Sequence, residues 1–264
     1  MDREQIIPLA DEHTRAVQFW LASRSPIGER MELSNVVVSS TGLHIQFLNL
    51  AVSRAGDAER LDDEIETVKK FFARRGVPWY WMVGAMPARR EIQTRLEAHG
   101  LVYNSPDLPA MVAPLPAPEL KIAPEVRVWQ AASVDDLNWA SKIRHAAFRF
   151  PQGVATTYFE DMQEDWLKND DARLFLGCVG DNPPASIGAL IVGAGMPGVY
   201  VMATLPEWER RGLGRAILQR ILTDAAGMGF PHIALTASKK GYPLYQKFGF
   251  EHVFDYVFYE VEKK

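Results

Sequence analysis

The sequence has very little cysteine and no excess of charge of either sign. Its single cysteine, Cys178, excludes an internal disulfide and a cluster of metal-binding thiolates, and it fits a reducing compartment. The 29 Lys and Arg residues nearly balance 33 Asp and Glu residues. Proteins that bind nucleic acid or membrane surfaces usually carry a basic stripe, so we expect neither partner. The first residues, MDREQ, lead into no apolar run, so we expect no secretory signal and a cytoplasmic location. We also expect no bound metal.

One stretch of the second half is as long as a membrane span and lacks charge altogether. Residues 185–205 contain no Asp, Glu, Lys or Arg, but GAGMPG lies in their middle. Glycine and proline in such a cluster are typical of a turn rather than of a continuous helix. The stretch therefore predicts two buried strands joined by a turn.

A proline-rich segment divides the chain near its middle. Residues 113–124, APLPAPELKIAP, contain four prolines, which disfavour both helices and central strands. We predict a first domain at 1–113, a linker at 114–124 and a second domain at 125–264. In the second half, strand and helix patterns alternate, with an apolar stripe of 3.6-residue period after Gly212 and two final strands, FEHVF and YVFYEV. The predicted fold class is α/β (α+β), with a mixed twisted sheet flanked by helices.

The first half resembles a degraded copy of the second. GVPWYWMV parallels GFPHIALT, and EAHGL parallels QKFGF, which predicts that the mixed sheet is present twice. Before its first periodic helix, however, this half has GDAERLDDE, with Asp57, Glu59, Asp62 and Asp63. These acids suit a helix N-terminus but would repel a phosphate. We expect this half to be a scaffold or a wall of the substrate site.

Positive charge is concentrated at the start of one helix in the second half. In PEWERRGLGRAIL, Arg210 and Arg211 stand directly before Gly212 and Gly214. Unpaired N–H groups at a helix N-terminus bind anions, glycine lets the backbone approach closely, and arginine adds charge-assisted hydrogen bonds. A solvated basic turn would explain the same residues, so the motif alone does not distinguish an anion-binding site from such a turn.

Two ordered motifs within residues 126–262 resemble the GCN5-related N-acetyltransferase (GNAT) superfamily. VYVMATLPEWERRGLGRAIL resembles that family's strand and pyrophosphate loop, whose pattern is Gln/Arg-x-x-Gly-x-Gly/Ala, although Glu209 replaces the first residue. LTASKKGYPLYQKFGF resembles the family's later strand, short helix and closing Tyr-x-x-x-Gly-Phe. The resemblance implies a tandem GNAT arrangement with a degenerate N-terminal copy.

The resemblance also implies an activity and assigns residues to it. The activity is transfer of an acetyl group from acetyl-CoA to a primary amine, by direct attack without a covalent enzyme intermediate. Tyr245 is the expected general acid for the leaving thiolate, with ring packing as the alternative; for Ser238 the alternative to cofactor contact is a helix cap. The residues expected to bind the cofactor are Met202, Ala203, Thr204, Glu209, Arg210, Arg211, Gly212, Leu213, Gly214, Arg215 and Ser238.

The general base and the acceptor stay open. The strand before the phosphate loop has no ionisable residue except Tyr200, and the candidates for the base are His145, Glu160, Asp161, a water relay or an acceptor that is already deprotonated. The expected acceptor is a small molecule or a peptide, the donor is acetyl or a longer acyl group, and the protein is a monomer or a homodimer. Two other functions compete: a non-catalytic CoA-binding or regulatory module, and a structural protein that binds no CoA.

Overall fold

The computed structural model describes residues 3–23, 27–104, 108–151 and 157–262. The chain separates into two compact units. Unit 1 consists of Met1–Ala110 together with Val253–Lys264, and unit 2 of Met111–His252. Each contains a mixed sheet flanked by helices, so the predicted α/β class is confirmed.

The elements before the middle of the chain are three helices and six strands among the described residues. They are α1 (Arg3–Ser23), β1 (Glu29–Glu32), β2 (Val36–Ser40), β3 (Asn49–Ser53), α2 (Leu61–Arg75), β4 (Tyr80–Val83), α3 (Arg89–Ala98), β5 (Leu101–Tyr103) and β6 (Leu108–Pro114). After the middle come β7 (Val126–Gln130), α4 (Val134–Ala147), α5 (Gln163–Leu167), β8 (Ala172–Val179), β9 (Ser186–Gly193), β10 (Met196–Thr204), α6 (Leu213–Gly227), β11 (His232–Thr236), α7 (Tyr242–Lys247) and β12 (Glu251–Val261).

The sheet of unit 1 combines strands from both ends of the sequence. β1, β2 and β3 are antiparallel neighbours, and β3 runs parallel to β4. β12 follows β4 as an antiparallel neighbour and also pairs with β5. Helix α2 connects β3 to β4 and buries Leu61, Ile65, Val68 and Phe72, which recur at helical spacing. It ends at Gly76, whose φ of 65° lies in the left-handed region that favours glycine.

The sheet of unit 2 repeats the local plan of strand, helix and parallel strand. β7 to β10 are antiparallel neighbours, and β10 runs parallel to β11, with α6 connecting the two. The predicted stripe of α6 is buried, with Ile217, Leu218 and Ile221 in one core cluster with strand residues such as Phe175 and Leu235. The uncharged stretch forms β9 and β10 joined by a turn, as predicted. The duplication of the whole domain stays a prediction.

The compact units do not follow the predicted domain boundaries. The predicted domain at 125–264 loses its end, because Val253–Lys264 belong to unit 1. The two predicted final strands are one continuous strand, β12, since neither glycine nor proline interrupts EHVFDYVFYEV. A strand finds its neighbour through contacts distant in sequence, so local pattern did not indicate which sheet β12 would join.

The predicted linker is irregular, but it is part of unit 2 rather than a free connection. Strand β6 extends to Pro114, and Leu115, Ala117 and Leu120 pack against the core cluster that contains α6. The backbone N–H of Leu120 donates to Oε1 of Gln219 at 2.8 Å. This segment therefore contributes to the core beside α6.

Candidate active site

Strand β10 contains a bulge near its end. Its register with β9 passes from Tyr200–Ala189 to Ala203–Ile187, so β10 has one residue more than its neighbour over this interval. Val201 has a φ of 52°, a value that β-branched residues rarely adopt. A bulge bends a strand and redirects its backbone groups, and bulges are frequent beside active sites. Sequence reasoning missed it because no glycine or proline marks the position.

Strands β10 and β11 are paired over only part of their length. The registered pairs are Gly198–Ala234 and Val199–Leu235, and none follows among the described residues. β10 continues to Thr204, beyond the bulge. The two parallel strands therefore diverge after Val199, and this opening lies next to the bulge.

The three residues of β10 that were predicted to bind the cofactor lie along this opening. Ser186 of β9 holds them from the other side, since its Oγ donates to the carbonyl of Ala203 at 2.8 Å and lies 2.7 Å from Oγ1 of Thr204. Met202 packs toward α6, where the absence of a side chain at Gly188 makes room for its sulfur. The strand end is thus fixed on the β9 side and open on the other.

The phosphate-loop motif forms the N-terminus of α6. Gly212 precedes the helix with a φ of 86°, a left-handed conformation that favours glycine, and Arg210 also has a positive φ of 65°. Within the described part of the chain no side chain caps the helix, and its first turn contains no acidic residue. The N–H groups of Leu213, Gly214 and Arg215 therefore form an end that lacks a side-chain acceptor and carries the positive part of the helix dipole.

The charges around this helix end are arranged so that the positive ones dominate. Glu209, the residue that departs from the family pattern, accepts a hydrogen bond from Lys240 at 2.5 Å, which neutralises it. Arg211 stacks over the ring of Trp208, with its guanidinium carbon 4.7 Å from the ring centre. Nη1 of Arg215 donates to a backbone carbonyl at 3.2 Å, but its buried Nε has no partner among the described residues.

A groove passes in front of this helix end and has room for a phosphate-containing ligand. A Cβ atom placed on Gly214 would make ordinary van der Waals contacts with Leu244 at 3.8 Å and Thr204 at 4.0 Å, so no atom of the described residues crowds the glycine. The groove also contains Arg215 and Lys247. Basic side chains, an uncapped helix end and a groove beside a glycine together fit a pyrophosphate.

Tyr245 lies on α7 with its ring in the same core cluster as α6. Its side chain is buried and contacts Phe250 edge to face, with ring centres 5.9 Å apart. Burial raises the pKa of its hydroxyl to about 12, so the phenol remains protonated through the physiological range. The ring of Tyr245 is therefore packed in the core, as in the alternative interpretation of this residue. This packing leaves its hydroxyl protonated and able to donate a hydrogen bond.

Ser238 is exposed at the turn before α7. Its Oγ accepts a hydrogen bond from the backbone N–H of Gly241 at 3.1 Å, and its carbonyl accepts from Gly241 and Tyr242. Ser238 therefore caps the backbone at the start of α7, which is the alternative role that the sequence left open. The hydroxyl proton stays available to a ligand.

The sequence of the second half matches a known family. The acetyltransferase (GNAT) family model matches residues 140–250, which include β10, the phosphate loop, α6 and Tyr245. Residues 140–250 belong to the GNAT family. No curated protein of similar sequence was found. The GNAT fold supports acyl transfer from an acyl-CoA.

Solved structures resemble the chain across both units. A GCN5-related N-acetyltransferase from Kribbella flavida has a TM-score of 0.72 at 19% identity, covering 97% of this chain and 96% of that chain. A GCN5-related N-acetyltransferase from Sphaerobacter thermophilus has a TM-score of 0.65 at 14% identity, covering 88% and 83%. At these identities the likeness shows the fold alone.

The three candidate bases of the GNAT domain differ in how they are engaged. The carboxylate of Glu160 accepts a hydrogen bond from Ser141, on the buried face of α4. Asp161 is exposed and accepts from Oγ1 of Thr157 at 3.1 Å. His145, in the last turn of α4, contacts Phe150 edge to face, and no hydrogen bond joins its ring to another described residue. Of the three side chains, only that of His145 makes no hydrogen bond within the described part of the chain.

The corresponding helix start in unit 1 has the opposite charge. The first turn of α2 contains Asp62, Asp63 and Glu64. The buried carboxylate of Glu64 accepts hydrogen bonds from the backbone N–H groups of Ser34 and Asn35, each at 2.8 Å. These acids lie where a pyrophosphate would need positive charge.

Within the described ranges, two further features are absent. No helix there is long and apolar enough to cross a membrane. No group of three or more His, Cys, Asp or Glu side chains in the same ranges is arranged to hold a metal ion.

Proposed function

We propose that unit 2 transfers an acetyl group from acetyl-CoA to a primary amine by direct attack. One observation carries the proposal: the uncapped, acid-free N-terminus of α6 opens beside the bulged end of β10. A helix end of this kind binds phosphates, and a strand edge of this kind can pair with an amide-containing chain. Acetyl-CoA contains both groups, joined to the thioester that supplies the activated acetyl group.

The backbone of Leu213, Gly214 and Arg215 would hold the pyrophosphate. Their N–H groups point out of the helix end, and the guanidinium groups of Arg210, Arg211 and Arg215 add charge-assisted hydrogen bonds. Glu209 stays paired with Lys240, so it would not repel the phosphates.

The free edge of β10 would orient the donor. Residues Met202 to Thr204 lie past the last pair with β11, so their edge can bond to the pantetheine amides. A backbone N–H redirected by the bulge can polarise the thioester carbonyl as negative charge develops on its oxygen. Holding the amine against that carbonyl supplies much of the remaining acceleration.

Tyr245 would assist departure of the thiolate as a hydrogen-bond donor. A phenol with a pKa of about 12 keeps its proton at neutral pH. Complete transfer of that proton to a thiolate with an ordinary pKa of about 8.5 would be uphill by roughly 5 kcal/mol. We therefore assign the main effect to a strong hydrogen bond that stabilises the developing negative charge on sulfur.

His145 is the side chain we favour for accepting the proton of the acceptor amine, because its ring nitrogens are free among the described residues. Imidazole is the side chain that most often serves as a general base in proteins. An amine that enters unprotonated, or a water relay, would do without it.

The direct test measures release of the CoA thiol from acetyl-CoA with a panel of primary amines. Amine-dependent release whose initial rates require both substrates to be bound together supports the proposal. Ping-pong kinetics would contradict direct attack. CoA binding without release by any amine would favour the non-catalytic module, which the lack of a carboxylate on β10 permits. No CoA binding at all would leave a structural role.

A further inference from the structure

A buried arginine in the GNAT domain has no anionic partner among the described residues. Arg144 belongs to the core-facing stripe of α4, together with Leu137, Ala140 and Ser141, and only 5% of its surface is exposed. No hydrogen bond or ion pair joins its guanidinium to another described residue. Arginine is almost never this deeply buried without a partner, because removing its charge from water is costly.

The contacts that Arg144 does make are aromatic. Its guanidinium carbon lies 3.9 Å from the centre of the Tyr158 ring and 4.7 Å from that of Phe150. Cation–π contacts compensate only part of the cost of burial and satisfy none of the five N–H donors. Burial raises the pKa of the Tyr158 phenol, so this ring stays neutral and offers no opposite charge.

Neighbouring carboxylates are already engaged elsewhere. Glu160 accepts from Ser141, one turn earlier on α4, and Asp161 accepts from Thr157. Neither forms an ion pair with Arg144. The charge of Arg144 is thus left for a group that is not part of the described chain.

Topology places Arg144 at the end of the sheet where β10 opens. Strands β7 and β10 run in opposite directions, because three antiparallel pairings separate them. Helix α4 follows β7 after three residues and packs on β9 and β10, so it runs back along the sheet in the direction of β10. Arg144 lies in the last turn of α4, at the end of the helix that points in the direction in which β10 runs toward its opening.

From this placement we infer that Arg144 binds a carboxylate of the acceptor, so that the acceptor is an amine that also carries an acid, such as an amino acid or a peptide with a free carboxyl group. The inference rests on the proposed function, since it names the acceptor class of that site. A planar carboxylate matches the guanidinium fork in two parallel hydrogen bonds. A single arginine also balances one negative charge, whereas a phosphate monoester carries nearly two.

The test uses acceptor pairs that differ only in the acid: 4-aminobutyrate with butylamine, and phenylalanine with 2-phenylethylamine. The wild-type protein should prefer the acid in at least one pair by about 10- to 150-fold in kcat/KM, the range of a charge-assisted hydrogen bond. Arg144→Gln should abolish that preference, while Lys142→Gln, on the exposed side of the same helix, should keep it. A third pair, 2-aminoethyl phosphate with ethanolamine, tests whether the site prefers a phosphate rather than a carboxylate.

A stability measurement separates a binding role from a structural one. Arg144→Met removes an uncompensated buried charge and keeps an apolar stem, so we expect its Tm to rise by about 2–4 °C while the acid preference is lost. A fall in Tm together with a retained preference would show that Arg144 serves folding alone.

Each remaining outcome decides between the inference and the proposed function. If both members of each amine and amino-acid pair react equally well, or if only the phosphate is preferred, the inferred carboxylate binding by Arg144 is wrong. The proposed acetyltransferase activity is then still supported. If no amine reacts, calorimetry of the CoA-loaded protein with the amino acids still applies. Binding that Arg144→Gln abolishes supports the inference, and absence of binding overturns it. Failure to bind CoA or acetyl-CoA overturns the proposed function.

Discussion

The two units share one local plan, a strand, a helix and a parallel strand, yet the two helices begin in opposite electrostatic surroundings. In unit 2, α6 starts at Gly212 with arginines before it and no acid in its first turn. In unit 1, α2 starts with three acids, of which Glu64 is buried and bonded to a neighbouring loop. The same topology therefore places a helix end beside a pair of parallel strands in both units, and the residues of the first turn decide whether that helix end favours an anion.

The strand ends differ in the same sense. In unit 1, the β3–β4 pairing ends at Val52–Met82, and the next carbonyl, that of Ser53, accepts a hydrogen bond from Nε of Arg15 at 3.0 Å. Arg15 is itself paired with Asp11, and all of these groups are buried. In unit 2 the corresponding place is the opening beside the bulge. In unit 1 a side chain of its own helix α1 occupies the position that is open in unit 2, where we propose that the donor binds.

The largest expected effect is loss of donor binding in Gly214→Asp. A carboxylate there would occupy the open space in front of the helix end and repel the phosphates, so acetyl-CoA affinity should fall by more than about 100-fold. Calorimetry measures it. Gly227→Asp places the same residue at the other end of α6, where a Cβ meets no atom within 4 Å, and should bind normally. Equal affinities in the two folded variants would contradict the loop assignment.

Gly212 is a poorer site for this test than Gly214. With a φ of 86°, any other residue at this position adds backbone strain of about 1–2 kcal/mol. A loss of binding in that variant would mix strain with repulsion.

Tyr245→Phe should lower kcat by about 10²–10³, with little change in acetyl-CoA affinity, because the ring packing survives and only the donor is lost. Tyr242→Phe removes a hydroxyl from the same short helix and should leave kcat unchanged. If both variants turned over within twofold of the wild-type protein, with chemistry limiting the rate, Tyr245 would be a packing residue only.

Among the acids at the start of α2 in unit 1, Glu64 is the one whose substitution should lower the free energy of unfolding the most. Glu64→Gln brings an amide donor toward the N–H groups of Ser34 and Asn35, so we expect a loss of about 2 kcal/mol of unfolding free energy and unchanged acetyl-CoA affinity. The exposed neighbour variant Asp63→Asn should stay within about 0.5 kcal/mol of the wild-type protein. Weakened acetyl-CoA binding in Glu64→Gln, measured by calorimetry, would mean that the helix start of unit 1 contributes to the site.

A smaller effect is expected from Arg211→Gln, since its guanidinium is exposed at the mouth of the groove. Affinity for acetyl-CoA should fall by about 3- to 10-fold, and less at high salt, because the lost interaction is a screened charge. Arg60→Gln makes the same change ahead of α2 in unit 1 and should have no effect on binding. An equal effect of both substitutions would point to overall charge rather than to a specific site.

The smallest expected effect is on the pH profile. The raised pKa of Tyr245, about 12, means that its hydroxyl remains a donor well above the ordinary phenol value of about 10. The kcat profiles of the wild-type protein and of Tyr245→Phe should therefore have the same shape up to about pH 10, with a lower plateau in the variant. A basic limb below pH 10 that disappears in Tyr245→Phe would show that the hydroxyl ionises earlier.

Features governed by neighbouring residues could be predicted from the sequence. The stripe of α6 and the cap of α4 by Ser133, whose Oγ accepts from the N–H of Asp136, depend on spacing of three and four residues. The basic helix start at Gly212 was equally visible. Each of these is a local property of the chain.

Features that depend on contacts distant in sequence could not be predicted from the sequence. Nothing near Val201 indicates a bulge, because the irregularity is a relation between β9 and β10. The place of β12 in unit 1 depends on its pairing with Trp81 and Met82, far away in sequence. Burial of Arg144 had a faint signal, since it continues the apolar spacing of Leu137 and Ala140, but that spacing says nothing about its missing partner.

We propose that only the helix start of unit 2 binds the donor. Titration of the full chain with acetyl-CoA in a calorimeter tests this directly. We expect one site per chain in the wild-type protein and none in Gly214→Asp. Two sites per chain, or one site that persists in a folded Gly214→Asp variant, would contradict it.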